Sequence, residues 1–266
     1  AIISNIWQFI NVKTFILLFH FFCFLSFASA NVLKWEKLTE LPAPEGLDKN
    51  IGVAGPFVGV HNDALIVAGG ANFPDKPLWE TDKVWHDRIY VLSEQGDGNY
   101  VWENGGKLDQ PLAYGSSVST AKGVLCIGGD DSKKVYNDVF FLSWNAEDKK
   151  LSKIEMPSLP EPVAYGSAAI HNNFVYLVAG QSGKKLGTAT NKVLTLNLSE
   201  GENSEWKPLP KVPWKSRAFL QVATQHNGYD DCIYVIGGRQ QDGDQVNFFS
   251  DVWEYNLSTK EWKERK

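Results

Sequence analysis

An apolar run closed by small residues, Ala64-Leu-Ile-Val-Ala-Gly-Gly70, returns three times further along this 266-residue chain. The copies are Val124-Leu-Cys-Ile-Gly-Gly129, Phe174-Val-Tyr-Leu-Val-Ala-Gly180 and Cys232-Ile-Tyr-Val-Ile-Gly-Gly238. Their last glycines follow one another at 59, 51 and 58 positions. Self-similarity at a period near ~50 residues means that the chain folds as copies of one supersecondary unit, each stacked on the next to bury its apolar faces. Alternating apolar residues and turn chemistry divide each copy into four strands, a to d. They are predicted at 57–60, 64–68, 88–92 and 100–103; at 114–119, 124–127, 138–144 and 150–155; at 165–170, 174–178, 191–197 and 205–208; and at 218–225, 232–236, 251–256 and 261–264.

Two further echoes fix the register. Pro111-Leu-Ala-Tyr-Gly-Ser116 matches Pro162-Val-Ala-Tyr-Gly-Ser167 at the start of strand a, and Trp102, Trp206 and Trp262 mark strand d. Four-stranded repeats of this length predict an all-β fold, a kelch-type β-propeller with about four blades present. Trp35, in Trp35-Glu-Lys-Leu38, carries the outer-strand signature with no strands a to c ahead of it. It reads as the outer strand of a closing blade, whose other strands are expected beyond Lys266 in a ring of six. A closed ring of four is the alternative, and it would leave Trp35 without a sheet.

Composition narrows the function. Aromatic residues make up 13% of the chain, with 23 glycines, a balance suited to short strands and tight turns. A formal net charge of −5 argues against nucleic acid, whose binding needs basic surface to replace counterions. Lys13, the apolar run 15–27 and Ala28-Ser-Ala30 have the layout of a secretory signal cleaved after Ala30. That leaves 31–266 as the propeller and implies a secreted or periplasmic protein with no membrane attachment after cleavage. The run is short for a membrane span. Cys126 and Cys232 lie in strand b of different repeats, which predicts two buried free thiols rather than a disulfide.

In an up-and-down blade the a–b and c–d turns share one face, and the b–c loops and d–a connections share the other. His61, His171 and His226 all fall in a–b turns, each followed by Asn, which is hairpin chemistry rather than a metal set. His86 is the exception. It lies in the longest b–c loop, 71–87, with Asn72, Phe73, Trp79, Glu80, Asp82 and Trp85. Long loops on a rigid scaffold tend to carry function. Its aromatic residues either stack on a sugar ring or pin the loop, and His86 is a candidate general acid or base.

The same face receives Asp130, Asp131, Lys133 and Lys134, then Gln181, Lys184 and Lys185, then Arg239, Gln240 and Gln241; the d–a connections add Tyr114, Tyr165 and Arg217. A guanidinium fork grips a carboxylate with paired charge-assisted hydrogen bonds, so two of the chain's four arginines here point to a small acidic ligand. Alternatively, Arg217 supports the packing between blades. The chain has no Gly-x-Ser-x-Gly elbow, His-Glu-x-x-His pair or phosphate loop, the local signatures of common hydrolytic and nucleotide sites.

Trp35-Glu-Lys-Leu38, Val53-Ala-Gly-Pro-Phe-Val-Gly-Val60, Asn62-Asp-Ala-Leu-Ile-Val-Ala-Gly-Gly-Ala-Asn-Phe-Pro74 and Ala113-Tyr-Gly115 together resemble the N-acetylneuraminate epimerases, kelch enzymes that interconvert sialic acid anomers. The likeness runs from Trp35 to about Arg239, with the blocks rotated as in the cyclically permuted mutarotase branch. It implies ring opening, rotation about the exposed carbonyl and reclosure, supporting sialic acid uptake and needing no cofactor. One group protonates the ring oxygen while another takes the anomeric hydroxyl proton, and an Arg holds the substrate carboxylate.

On this reading Asn72, Phe73, Trp79, Tyr114, Tyr165, Arg217 and Arg239 bind a small acidic sugar. One departure matters. The family's acid/base Glu follows a Gly in the b–c loop ahead of the Trp-Glu-Lys-Leu strand, with an Arg a few residues on; neither has a counterpart here. Gly201-Glu202 is no substitute, because it lies in a c–d turn on the other face. The chain as given is therefore expected to bind weakly and not to catalyse. The rival reading is a non-enzymatic kelch module that binds protein or glycan.

Overall fold

The computed structural model describes residues 35–44, 47–74, 80–210 and 212–265. The proposed leader and Trp79 lie outside the described residues. The chain divides into a unit up to Leu38 and a second from Thr39 onward; in the first, Trp35 is 90% exposed.

The second unit holds four antiparallel four-stranded sheets, one per repeat. The first blade comprises β1 (Phe57–His61), β2 (Ala64–Ala68), a short ribbon of β3 (Ala71–Asn72) with β4 (Val84–Trp85), then β5 (Arg88–Glu94) and β6 (Tyr100–Lys107). The second is β7 (Ser116–Thr120), β8 (Gly123–Ile127), β9 (Val139–Asn145) and β10 (Lys150–Met156). The third is β11 (Ser167–His171), β12 (Phe174–Gln181), β13 (Ala189–Asn197) and β14 (Lys207–Pro208). The fourth is β15 (Gln221–His226), β16 (Asp231–Ile236), a ribbon of β17 (Arg239–Asp242) with β18 (Gln245–Phe248), then β19 (Val252–Asn256) and β20 (Trp262–Arg265). Each sheet runs a-b-c-d in space as in sequence.

Middle strands read as unbroken apolar runs because both faces of a blade are covered, as the period-2 alternation of a strand requires. Val124, Cys126, Phe140, Leu142 and Trp144 of the second blade pack against Phe57, Ile66, Ala68, Ile89 and Val91 of the first. The intervening residues Leu125, Ile127, Val139 and Phe141 face Val175, Leu177, Leu194 and Leu196 of the third. Val178, Val193, Trp214, Leu220 and Val235 continue the series between the third and fourth. Truncating one such leucine costs ~2–5 kcal/mol, so these seams hold the fan of blades together.

Inner strands are joined differently. Hydroxyls bridge the backbones of neighbouring blades: Val58 N and Val60 N donate to Ser117 Oγ and Ser119 Oγ at 3.0 and 2.8 Å, and Val222 N donates to Ser167 Oγ at 3.2 Å. The glycine pair ending strand b completes the join. Gly70 N donates to Leu112 O at 2.7 Å and Gly129 N to Val163 O at 2.8 Å, each carbonyl belonging to the next blade. A Cβ on Gly128, whose φ is +62°, would sit 2.1 Å from Val163 O; this close approach is why the motif ends in glycine.

The fold matches the predicted propeller, with one consistent offset. Strand a begins at Ser116, Ser167 and Gln221, two or three residues later than predicted. The skipped residues include Tyr114, Tyr165 and Phe219, which have φ of 58°, 56° and 59° and therefore cannot be extended. Cys126 and Cys232 are free and buried, and burial pushes the Cys126 thiol well up. His61, His171 and His226 each end strand a at a hairpin. Among the described residues, no three His, Cys, Asp or Glu side chains gather where a metal could bind, and no helix is long and apolar enough to cross a membrane.

Candidate functional site

Two equivalent positions in each blade build the site. The residue after the small pair closing strand b is Ala71, Asp130, Gln181 or Arg239 in the four repeats. Each pairs in an isolated bridge with the alanine that leads into strand a: Ala54, Ala113, Ala164 or Ala218. The next residue is Gly55, Tyr114, Tyr165 or Phe219, always with positive φ. Backbone hydrogen bonds link these four in series: Tyr114 N to Gly55 O at 2.7 Å, Tyr165 N to Tyr114 O at 2.7 Å and Phe219 N to Tyr165 O at 2.8 Å. The left-handed kink thus turns each ring off its strand and toward the ring before it.

The rings stack as a result. Tyr114 and Tyr165 lie 4.6 Å apart at 21°, and Tyr165 and Phe219 lie 4.5 Å apart at 35°. Gly55 carries no ring because its Cβ would stand 2.4 Å from the Tyr114 ring. Cations cap both ends of the stack. Lys83 Nζ sits 4.6 Å over Tyr114 and donates to its hydroxyl at 3.0 Å; the Arg239 guanidinium sits 3.9 Å over Phe219. Such contacts favour a cation through the ring quadrupole. Neither cation has a carboxylate within ion-pair distance among the described residues, and Arg239 Nε is buried with no hydrogen-bond partner.

Beside the stack, the first blade's long loop contributes polar groups. His86 Nε2 and Asn72 Oδ1 are 2.8 Å apart, and Asn72 Nδ2 donates to Gly52 O at 2.8 Å. Burial pulls the His86 imidazole below its ordinary value, against the opposing pull of Asp87, which favours the neutral ring. Asn72, Phe73, Tyr114 and Ile51 line a cavity of ≈ 800 Å³. His86, Arg88 and Tyr90 join Asn72 around a second of ≈ 700 Å³.

The structure therefore brings Asn72, Phe73 and Tyr114 to one cavity, carries the wall on through Tyr165, and ends it at Arg239. Arg217 is a correction. It is 1% exposed and cannot reach a ligand. Its Nη1 and Nη2 donate to Asp251 at 2.6 and 2.9 Å, Nη1 donates also to Gly237 O at 2.9 Å, and the guanidinium lies 4.3 Å over Phe249. It is the packing arginine of the alternative reading. Sequence reasoning missed Lys83 and Phe219, assigned no role to Asp130, and left Trp85 between stacking on a sugar and pinning its loop; the bond from Trp85 to Asp130 favours the pinning role. Asp130 was findable, because it shares with Arg239 the position after Gly-Gly.

The stacked rings cover one another's faces and present their edges; with the Arg239 guanidinium and an imidazole beside them, the site can line a sugar, pair with a carboxylate and exchange a proton. Comparisons with known proteins agree with the sequence reading over a narrower span. Residues 25–152 match the family described as N-acetylneuraminate epimerase, and 228–266 match a kelch motif. The N-acetylneuraminate epimerase of Vibrio cholerae is 38% identical over 122 residues, 42% of this chain and 30% of the relative. That of Brucella melitensis is 35% identical over 124 residues, 42% of this chain and 31% of the relative. The matched stretch thus spans about a third of each relative's length. A solved structure, that of YjhT, superimposes with a TM-score of 0.61 at 16% identity, covering 86% of this chain and 67% of the other; this likeness concerns the fold. The chain is a kelch β-propeller whose residues 25–152 match the N-acetylneuraminate epimerase family.

Proposed function

We propose that this site binds an acidic sugar of the sialic acid class, and that its chemistry, in the protein to which these blades belong, is interconversion of that sugar's anomers. One observation carries the reading: a stack of three aromatic rings from three blades ends at the Arg239 guanidinium, which has no carboxylate partner among the described residues. Arg239 as a whole is half-buried, so a sugar carboxylate can pair with the guanidinium while the pyranose lies along the edges of the stacked rings. Asn72, which lines both cavities, and its neighbour His86 supply hydrogen-bonding groups for a sugar's hydroxyls, and an imidazole can accept the anomeric proton. The family relationship over residues 25–152 supports the substrate class.

Fresh α-anomer of N-acetylneuraminic acid, mixed with the protein and followed by proton NMR, tests both parts. Saturable binding supports the site, and absence of binding at millimolar sugar refutes it. The sequence expectation for this chain is binding with no acceleration of mutarotation. Acceleration abolished by His86→Gln would place the proton transfer in the first blade instead. Export of the protein to a compartment where it meets free sialic acid is part of the same proposal, resting on the layout of residues 1–30.

A further inference from the structure

Asp130 is fully buried and accepts hydrogen bonds from three other loops. Trp85 Nε1, from the first blade, donates to Oδ1 at 2.9 Å. Tyr165 OH, from the third blade's lead-in, donates to Oδ2 at 3.1 Å. Lys184 Nζ, from the third blade's b–c loop, reaches the same Oδ2 at 2.5 Å and also donates to Asp131 O. The lysine then lies 4.7 Å over the Trp85 ring, with Lys83 Nζ 5.2 Å from that ring. One carboxylate from the second blade thus fixes the middle ring of the stack, the neighbouring indole and a partly exposed cation.

We propose that Asp130 is the positioning residue of this site: it locks Trp85, Tyr165 and Lys184 into one wall and presents Lys184 as a second anchor for an anionic sugar. The inference rests on the acidic-sugar reading for its ligand and on the hydrogen bonds alone for its geometry. Both oxygens are needed. Burying a carboxylate costs several kcal/mol unless donors surround it, and here three donors do so. Burial and the adjacent Asp130 also push the Tyr165 phenol up, so Tyr165 serves as a fixed donor held between Tyr114 and Phe219, not as an acid.

The change Asp130→Asn separates the links chemically. The amide oxygen can still accept from Trp85 Nε1. Its NH₂ then faces Lys184, where two donors oppose each other, and the ammonium is left with only Asp131 O and the Trp85 ring. Lys184→Met removes the same anchor while leaving the carboxylate and the indole link in place. The expected result is a roughly tenfold weaker affinity for N-acetylneuraminic acid in each single variant and no further loss in the double variant. In ligand-free protein, the slowly exchanging Lys184 ammonium signal in ¹⁵N-resolved NMR should vanish in Asp130→Asn while the Trp85 indole signal stays. Sugar binding unchanged in Lys184→Met, or a Lys184 signal untouched by Asp130→Asn, would overturn the proposal. Should wild type fail to bind sugar, the ligand reading falls, whereas the ligand-free spectra still decide the geometry. Should Asp130→Asn not fold, Lys184→Met carries the affinity arm, and loss of the slowly exchanging Lys184 signal in Trp85→Phe, with its indole donor gone, would sink the geometric arm.

Discussion

Replacing Arg217 by Met should destabilise the propeller without touching the sugar site. Methionine keeps an unbranched stem beside Trp214 and Phe249 but removes both donors to Asp251 and the donor to Gly237 O. Asp251 retains Trp253 Nε1 at 2.7 Å. Breaking one partner of a buried pair costs ~3–5 kcal/mol. The Asp251 side chain is 21% exposed, and water can reach it, so the low end applies: about 3 kcal/mol, or ~1 M in urea midpoint at a slope of ~3 kcal/mol per M.

The pH dependence adds a signature. Burial pushes the Asp251 carboxyl up, yet hydrogen bonds from Arg217 and Trp253 outweigh it and hold the group below its ordinary value. A carboxyl with a lowered folded-state value contributes stability that is complete above its unfolded value, ~4, and is lost as pH falls through the lower folded value. Urea titrations of both proteins at pH 7 and pH 3 should therefore show the full gap at pH 7 and a narrowed one at pH 3. A gap under about 1 kcal/mol at pH 7, or one that ignores pH, would refute the assignment of Arg217 as a packing residue.

Other consequences follow from the same geometry. Gly128→Ala forces a left-handed alanine, ~1–2 kcal/mol, and drives Val163 O away from Gly129 N, ~1 kcal/mol more; a loss near 3 kcal/mol should appear in the denaturation midpoint. Ala179 already occupies the equivalent place at φ 54°, so Ala179→Gly should shift stability by less than about 1 kcal/mol in either direction. The His86 imidazole should titrate below ~6.5 by NMR, and Asn72→Ala, which removes its 2.8 Å neighbour, should change that midpoint while leaving the signals of His171 and His226 in place; a midpoint at or above 6.5 contradicts the buried neutral ring.

The blades were legible because their cause is periodic. Apolar runs such as Val124–Ile127, covered on both faces, had to recur, and the spacing of the Gly-Gly ends located every sheet. Strand starts were misplaced at Tyr114, Tyr165 and Phe219, where a left-handed residue looks in sequence like any aromatic strand former. The site was half legible for the same reason. Parity put Asn72, Tyr114, Tyr165 and Arg239 on one face, but parity does not report depth. Arg217 therefore looked like a ligand arginine until Asp251, 34 positions away, proved to be its partner. Asp130 was placed on the same face with no role, because its burial under three donors depends on residues from other blades. Lys83 gave no signal, because its role depends on rings contributed by Phe73, Trp85 and Tyr114.

The site stands or falls on the Arg239 guanidinium, at the end of a stack from three blades, meeting one sugar carboxylate. A thermodynamic cycle tests it most directly: affinities of N-acetylneuraminic acid and its methyl ester, each measured by NMR titration on wild type and on Arg239→Met. Wild type should prefer the free acid by roughly tenfold or more, as a charge-assisted pair worth ~1.5–3 kcal/mol requires, and Arg239→Met should bind acid and ester alike. Equal affinity of wild type for both, or an undiminished preference in the variant, would contradict it.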